Sequence, residues 1–176
     1  MIRLHDLYFE PFISEEKIQK AISEIAVKIN RDYKDKTPVF MGVLNGAFRV
    51  ASEVISKFEG DCEVLFVKLK SYEKTASTGK VETFIGLDVD LKDREVVVIE
   101  DIIDTGNTLE SLDSLLKNKN VKNYKIATLF FKPEAYTKHH KIDYIGMEIP
   151  NDFIVGYGLD YDGLGRNLSQ IYKLKK

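Results

Sequence analysis

Residues 97–109 read VVIEDIIDTGNTL and contain the strongest functional signal in the chain. A β-branched run ends in the adjacent carboxylates Glu100 and Asp101, and a short loop from Asp104 to Thr108 precedes a helical pattern. Carboxylates at the end of a strand can hold sugar hydroxyls or a metal ion. A small, hydroxyl-rich loop that opens a helix can bind a phosphate through its backbone N–H groups. The stretch therefore predicts a site for a phosphorylated sugar.

The composition is typical of one ordinary globular domain. The 176 residues are 44% hydrophobic and 31% charged, with 26 basic and 28 acidic side chains and a net charge of -2, so no nucleic-acid partner is expected. The single cysteine, Cys62, excludes an intramolecular disulfide and a multi-cysteine metal site. No signal-peptide pattern and no long apolar run is found, which predicts a cytoplasmic location and no membrane partner.

Helical and strand patterns alternate along the chain. A helix is predicted from Ser14, which can cap it, to Asp32, because isoleucine and alanine recur there at helical spacing. Buried strands are predicted at 39–44, 62–69, 81–87, 95–101 and 124–131, with helices after residues 47 and 108. This order indicates an α/β domain with a largely parallel sheet. Such sheets bind ligands at the carboxyl ends of their strands, which places Asn45-Gly46, Glu100-Asp101 and the residues after Phe131 along one rim.

Each part of the central stretch also has a simpler explanation. Neighbours in a strand point to opposite faces, so Glu100 and Asp101 can share one ligand only if the chain turns there; otherwise they form a solvated strand end. Asp104 is either a turn or capping residue or a general base within reach of a proton. The residues from Thr105 to Thr108 either cap the helix or bind phosphate, and the two hydroxyls with Gly106 favour phosphate. No G-x-x-x-x-G-K-[ST] motif is present, which excludes a nucleoside-triphosphate P-loop.

The same stretch resembles the phosphoribosyl-pyrophosphate signature of type I phosphoribosyltransferases, and its IEDIIDTG version is most similar to the hypoxanthine-guanine branch of that family. Five separated motifs, from about Val39 to Tyr172, follow the family's order. The resemblance implies the type I phosphoribosyltransferase fold, an α/β fold with a mostly parallel central sheet flanked by helices. It also implies one domain over residues 1–176. A small hood, formed mainly by residues 134–176 with the N-terminal residues, would cover the C-terminal strand ends.

The resemblance assigns roles to the central stretch. Glu100 and Asp101 would bind the ribose hydroxyls, and with Asp160 they would hold Mg²⁺. Asp104 would be the catalytic base at purine N7. The ribose 5′-phosphate would be bound by the loop made of Asp104, Thr105, Gly106, Asn107 and Thr108.

The pyrophosphate loop of the family resembles Leu44, Asn45 and Gly46, and the resemblance implies a cis peptide bond after Leu44. Asn45 stands where the family commonly has a lysine, so one cation is missing here, although the backbone role of the loop survives. A plain turn is the alternative. Arg166 would contact the pyrophosphate, because a guanidinium suits paired oxygens; alone it would be a solvated surface residue.

The purine-binding motifs of the family resemble Lys132, Phe153, Ile154 and Asp160. Lys132 would face the purine 6-oxygen, and since an ammonium only donates, hypoxanthine and guanine should be preferred to adenine. Phe153 would stack on the purine, and Ile154 would contact its edge through backbone groups. Without the resemblance, Lys132 is a solvated strand end and Phe153 a core residue.

Ser71 and Tyr72 resemble the dipeptide of the family's mobile lid; a hairpin tip is the alternative.

Together these motifs imply a Mg²⁺-dependent transferase of purine salvage. It would join hypoxanthine or guanine to the ribose 5-phosphate of phosphoribosyl pyrophosphate, giving IMP or GMP and pyrophosphate, and would form a homodimer or homotetramer. A non-catalytic sensor of the sugar pyrophosphate, on the same fold, stays open, as does an enzyme for another base such as xanthine or a pyrimidine.

The three histidines have no metal-ligand spacing and are expected to be non-catalytic. The first thirteen residues carry no interpretable motif.

Overall fold

The structure of the protein, a computed structural model, describes residues 1–69, 83–85 (backbone only) and 89–175. A six-stranded sheet runs through these described residues in the order β5-β4-β3-β6-β7-β8. Its strands from β3 to β8, except β5, are mutually parallel, and β5 is antiparallel to β4. The strands are β3 (Val39–Leu44), β4 (Glu63–Leu69), β5 (Thr83–Ile85), β6 (Glu95–Ile103), β7 (Asn123–Phe131) and β8 (Tyr144–Glu148).

The described helices lie on the two faces of this sheet. They are α1 (Glu15–Asp32), α2 (Phe48–Ser56) and α3 (Asn107–Asn118). Ser14 caps α1 as predicted, because its side chain accepts a hydrogen bond from Lys17 N at 3.4 Å. Phe40, Val97 and Ala127 pack with α1 and α2. Their strand neighbours, among them Met41 and Val98, pack with α3 on the other face. Both faces of the sheet are therefore covered, which confirms the predicted α/β architecture.

A second, small sheet is antiparallel and joins the two ends of the chain. Its order is β1-β2-β10-β9, with β1 (Ile2–Leu4), β2 (Leu7–Ile13), β9 (Ile154–Val155) and β10 (Ile171–Leu174). Ile13, Ile154 and Ile171 belong to the same hydrophobic cluster as α1 and the large sheet. The small sheet is therefore packed against the same hydrophobic core as the large one.

The segment assigned to the hood divides between the two sheets. Tyr144–Glu148 is a parallel edge strand of the large sheet, because its residues pair along β7, with Ala127 opposite Tyr144. Only β9 and β10, with the N-terminal β1 and β2, form the small sheet. None of the helices in the described part of the chain is both long and apolar enough to cross a lipid bilayer.

Candidate active site

The candidate site lies along the rim formed by the carboxyl ends of β3, β6 and β7. Gly42 of β3 lies opposite Ile99 of β6, and Ile103 of β6 lies opposite Phe131 of β7, all in parallel register. Parallel neighbours end at the same edge of a sheet. The loop at 45–47, the loop at 104–106 and the residue after β7, Lys132, therefore share one rim.

The alternation of side chains along β6 breaks at its two carboxylates. Ile99 and Ile102 both pack against the cluster on the α1 and α2 face, although they are three residues apart. An uninterrupted strand places such residues on opposite faces. The alternation of faces is therefore interrupted between Ile99 and Ile102, and an interruption there allows Glu100 and Asp101 to face one ligand.

Both carboxyl groups are buried, with 5% of Glu100 and 8% of Asp101 exposed. Burial raises the pKa of Glu100 well above its usual range, and the neighbouring charge of Asp101 raises it further. Burial raises the pKa of Asp101 to about 6, against the lowering effect of backbone N–H groups and the Arg166 guanidinium. Two desolvated acids at a strand end are favourable for hydroxyl or cation binding, since either ligand would replace the lost water.

The loop after β3 is packed against Asp101. The Leu44–Asn45 peptide bond is cis, as the resemblance implies. A Cβ on Gly46 would overlap the Asp101 carboxylate, and a Cβ on Gly158 would overlap the Gly46 carbonyl oxygen. The backbone at Gly46 is therefore in contact with the end of β6 on one side and with the C-terminal segment on the other.

Asp104 and Lys132 form an ion pair at the neighbouring strand ends. Lys132 Nζ donates to Asp104 Oδ2 at 2.9 Å, with 8% of the lysine side chain and 44% of the aspartate side chain exposed. Lys132 N also donates to Ile103 O at 3.0 Å, which joins the start of its loop to β6. An ammonium has three donors, so Lys132 can hold Asp104 and still donate to a ligand.

Thr105 and Gly106 lead into α3 without a side-chain cap, and the helix begins at Asn107, two residues earlier than predicted. Gly106 is the N-cap residue, with φ of 85°, and no side chain there accepts a hydrogen bond from the first turn. Thr105, Asn107 and Thr108 are exposed. Leu109 N donates to Gly106 O at 3.0 Å, so the N–H groups of Asn107 and Thr108 are the ones at this helix start that an anion could bind.

The segment after β7 supports this loop, which the sequence did not indicate. Tyr136 and Lys138 lie so close to Gly106 that a Cβ there would be 2.5 Å and 2.8 Å from them. Thr137 Oγ1 donates to Thr105 O at 3.3 Å. The sequence carries only a weak signal for these contacts, because α3 and β7 separate residues 136–138 from the loop along the chain.

Phe153 and Ile154 lie at the free edge of the small sheet. Phe153 is 45% exposed, whereas Ile154 is 5% exposed with its side chain in the core. Leu174 N donates to Phe153 O at 2.8 Å, and hydrogen-bonded pairs alternate along antiparallel strands. Ile154, the next residue, therefore directs its N–H and C=O away from β10 and towards the open edge. This arrangement suits recognition of a flat ligand by backbone groups.

Asp160 and Arg166 form a second ion pair beside Asp101. Arg166 Nη2 lies 2.7 Å from Asp160 Oδ1, and Arg166 Nη1 donates to Gly158 O at 2.7 Å. The charges of both residues act on the pKa of Asp101, Arg166 lowering it and Asp160 raising it. The structure therefore brings the predicted pyrophosphate residue Arg166 close to the carboxylate cluster.

No group of three or more His, Cys, Asp or Glu side chains within 1–69, 83–85 and 89–175 is arranged to hold a metal ion by itself. Mg²⁺ is commonly held by one or two carboxylates, with waters and substrate phosphates completing its shell. The buried Asp101 and the nearby Asp160 fit that mode, and Glu100 adjoins them. The predicted lid residues Ser71 and Tyr72 lie outside the described residues.

A cluster of polar side chains, which the sequence did not indicate, packs the C-terminal segment against α2. The Arg49 guanidinium lies 4.1 Å from the centroid of the fully buried Tyr157 ring and donates to Leu168 O at 2.8 Å. Gln19 Nε2 donates to the Tyr157 hydroxyl at 2.9 Å. Tyr157 lies between Gly156 and Gly158, so these contacts fix the part of the backbone that touches Gly46.

Comparison with known proteins gives consistent results. Residues 13–162 match the model of the phosphoribosyl transferase domain family. The hypoxanthine-guanine phosphoribosyltransferase of Bacillus subtilis (strain 168) is 39% identical over 172 residues, which cover 97% of this chain and 95% of that protein. The enzyme of the same name from Staphylococcus aureus (strain N315) is 36% identical over 173 residues, covering 98% and 97%.

Solved structures show the same similarity in three dimensions. The crystal structure of a hypoxanthine phosphoribosyltransferase from Staphylococcus aureus superposes with a TM-score of 0.88 at 37% identity, covering 97% of this chain and 92% of that one. A hypoxanthine-guanine phosphoribosyltransferase from Bacillus anthracis superposes equally, with a TM-score of 0.88 at 36% identity. The likeness therefore includes the whole arrangement of the two sheets.

Proposed function

The chain belongs to the phosphoribosyl transferase family, and we propose that it transfers ribose 5-phosphate from phosphoribosyl pyrophosphate to N9 of hypoxanthine or guanine. The products are IMP or GMP and pyrophosphate, so the protein is an enzyme of purine salvage. The single observation that carries the substrate is the Lys132–Asp104 pair beside the Glu100–Asp101 carboxylates. The names of relatives at 36% and 39% identity support the same reaction.

The sugar phosphate is held by the end of β6 and the start of α3. Glu100 and Asp101 accept hydrogen bonds from the ribose 2′- and 3′-hydroxyls, which replace the water lost on burial. The loop from Asp104 to Thr108, including Thr105, Gly106 and Asn107, binds the 5′-phosphate through the uncapped N–H groups of α3 and its hydroxyls. These contacts place the anomeric carbon opposite the purine.

The purine is recognised by donors on one edge and by stacking on its face. Lys132 donates to the 6-oxygen, Asp104 takes or holds the N7 proton while N9 attacks, and Phe153 stacks on the ring. Ile154 contacts the purine edge through its outward N–H and C=O. The 6-amino group of adenine would place a hydrogen-bond donor against the Lys132 ammonium, which is also a donor. Adenine is therefore excluded, because neither donor would have an acceptor.

The leaving pyrophosphate is bound by backbone groups at Leu44, Asn45 and Gly46 and by Arg166. Asn45 supplies an amide where the family commonly has a lysine, so Arg166 carries the positive charge at this end of the site. Glu100, Asp101 and Asp160 would hold a Mg²⁺ ion, which would supply neutralising positive charge to the leaving pyrophosphate.

The remaining expectations are part of the same proposal. The chain is a single domain of residues 1–176 whose small sheet covers the strand ends, and it acts in the cytoplasm as a homodimer or homotetramer. Its partners are small molecules, with no nucleic acid and no membrane. No observation favours a non-catalytic sensor, since such a protein does not need the purine-side residues Lys132, Phe153, Asp160 and Arg166.

A steady-state assay with phosphoribosyl pyrophosphate and Mg²⁺ tests the proposal. Hypoxanthine, guanine, xanthine and adenine are offered separately, and pyrophosphate release is measured. We expect turnover of hypoxanthine and guanine and none of adenine. Binding of the sugar pyrophosphate without turnover of any base would instead identify a sensor.

A further inference from the structure

The turn between β1 and β2, residues 4–6, contacts the loop that joins Asp160 to Arg166. The first contact is apolar, because Leu4 Cδ1 lies 3.0 Å from where a Cβ on Gly165 would be. His5 Nε2 lies 3.1 Å from Asp162 O. The Tyr161 hydroxyl donates to Asp6 Oδ1 at 2.8 Å. Three consecutive residues at the N-terminus therefore hold one loop of the candidate site.

Tyr161 connects this turn to the exposed ring of Phe153. The two ring centroids lie 5.9 Å apart with an interplanar angle of 87°, which is an edge-to-face contact. The fully buried Phe9 lies 6.1 Å from Phe153 and 6.2 Å from Tyr161. Phe153 is thus supported by two aromatic rings while 45% of it stays exposed.

We propose that Asp6, acting through Tyr161, is a positioning residue that fixes the Phe153 ring for stacking on the purine base. The inference rests on the proposed function, and it assigns a role to the N-terminal residues. The hydrogen bond to Asp6 fixes the orientation of Tyr161, and the edge-to-face contact between Tyr161 and Phe153 fixes the tilt of the Phe153 ring. A ring that is already oriented loses less side-chain freedom on binding, so the base binds more tightly.

The pyrophosphate side of the site does not depend on this contact. Arg166 is held by Asp160 at 2.7 Å and by Gly158 O at 2.7 Å. Asp160 Oδ2 also accepts a hydrogen bond from Gly163 N at 2.8 Å. Loss of the Tyr161–Asp6 bond should therefore weaken binding of the purine and leave binding of phosphoribosyl pyrophosphate unchanged.

The test uses Tyr161→Phe, which removes only the hydroxyl, Asp6→Ala, and the double variant. We expect each to raise the KM for hypoxanthine about threefold to tenfold. The KM for phosphoribosyl pyrophosphate and kcat should stay within about twofold, because the bond lies outside the reacting centre. The double variant should be no worse than either single one, as coupled residues require. Asp6→Asn, which keeps an oxygen acceptor, should restore the wild-type KM.

The matched control is Tyr124→Phe, which removes a similar bond to Asp113 Oδ1, 2.6 Å long, at the far end of β7. It should leave both KM values unchanged. An unchanged hypoxanthine KM in Tyr161→Phe and Asp6→Ala, or an equal rise of both KM values, would overturn the inference while the proposed function stands. A wild-type protein that neither binds nor converts any purine would overturn both.

Discussion

Lys132 Nζ donates a 2.9 Å hydrogen bond to Asp104 Oδ2, although the two residues are 28 positions apart in the chain. The family resemblance implies separate roles for them, at the 6-oxygen and at N7 of one purine. In the structure they form one unit, in which a lysine side chain that is 8% exposed orients a carboxylate that is 44% exposed. A base bound alongside this pair would therefore contact both groups with little rearrangement.

The first prediction concerns Asp104. Asp104→Asn keeps an oxygen near Lys132 and removes the basic carboxylate, so we expect kcat to fall about 100-fold. The KM values should change little, because the amide preserves the shape of the site. Steady-state kinetics with hypoxanthine measures both constants, and undiminished turnover would remove Asp104 from the base role.

The second prediction concerns base selectivity. Lys132→Gln replaces a pure donor with a group that can also accept a hydrogen bond, so it can pair with a 6-amino group. We expect the ratio of kcat/KM for hypoxanthine to that for adenine to fall at least about tenfold. Lys132→Arg, which still only donates, is the control and should retain discrimination against adenine. If wild type and both variants had the same ratio, Lys132 would not be the residue that recognises the substituent at the purine 6-position.

The third prediction concerns stability against pH. Burial raises the pKa of Asp101 to about 6, so its contribution to stability is complete below pH 4 and is lost as the pH rises through 6. The Asp101→Asn variant has no ionisable group at this position, so it does not lose this stability as the pH rises. Its free energy of unfolding relative to wild type should therefore rise between pH 4 and pH 8, by up to about 3 kcal/mol. Urea unfolding without Mg²⁺ or substrate measures this difference.

Glu100→Gln should behave in the same direction, because burial raises the pKa of Glu100 as well. Asp113→Asn is the control of opposite sign. Hydrogen bonds from Lys117 and Tyr124 lower the pKa of Asp113, so its carboxylate stabilises the fold above its unfolded pKa and the variant should be less stable than wild type at neutral pH. A pH-independent difference for Asp101→Asn would contradict the buried-acid explanation.

The fourth prediction concerns the close contact at Gly46. Gly46→Ala places a Cβ where the Asp101 carboxylate lies, so either the loop or the carboxylate must move. We expect kcat/KM for phosphoribosyl pyrophosphate to fall about 100-fold, since small displacements of positioning groups have effects of this size. Gly60→Ala is the control, because the nearest atom to its new Cβ would be in the Phe58 ring, at 3.2 Å. If Gly46→Ala and Gly60→Ala were equally active, the close contact between Gly46 and the Asp101 carboxylate would not matter for the reaction.

The strands of the small sheet, which the sequence did not predict, share one physical cause. β2 contains Pro11 and acidic Glu10, and β9 has only two residues, so their local patterns are weak. Their stability depends on pairing with β10, in which Leu174 lies opposite Phe9. Long-range pairing of this kind leaves no local signal, whereas α1 and β3 have strong patterns of their own and were predicted closely.

The sequence by itself determined the alternation of strands and helices, the parallel sheet and the rim that collects Gly46, Asp101 and Lys132, because hydrophobic periodicity and loop chemistry are local properties. Only the tertiary structure decided that Asp104 pairs with Lys132, that Asp101 is desolvated against Gly46, and that Asp6 reaches Phe153 through Tyr161. Distances between side chains and the loss of water around a carboxylate depend on how separate segments pack, and packing is not encoded in any one of those segments.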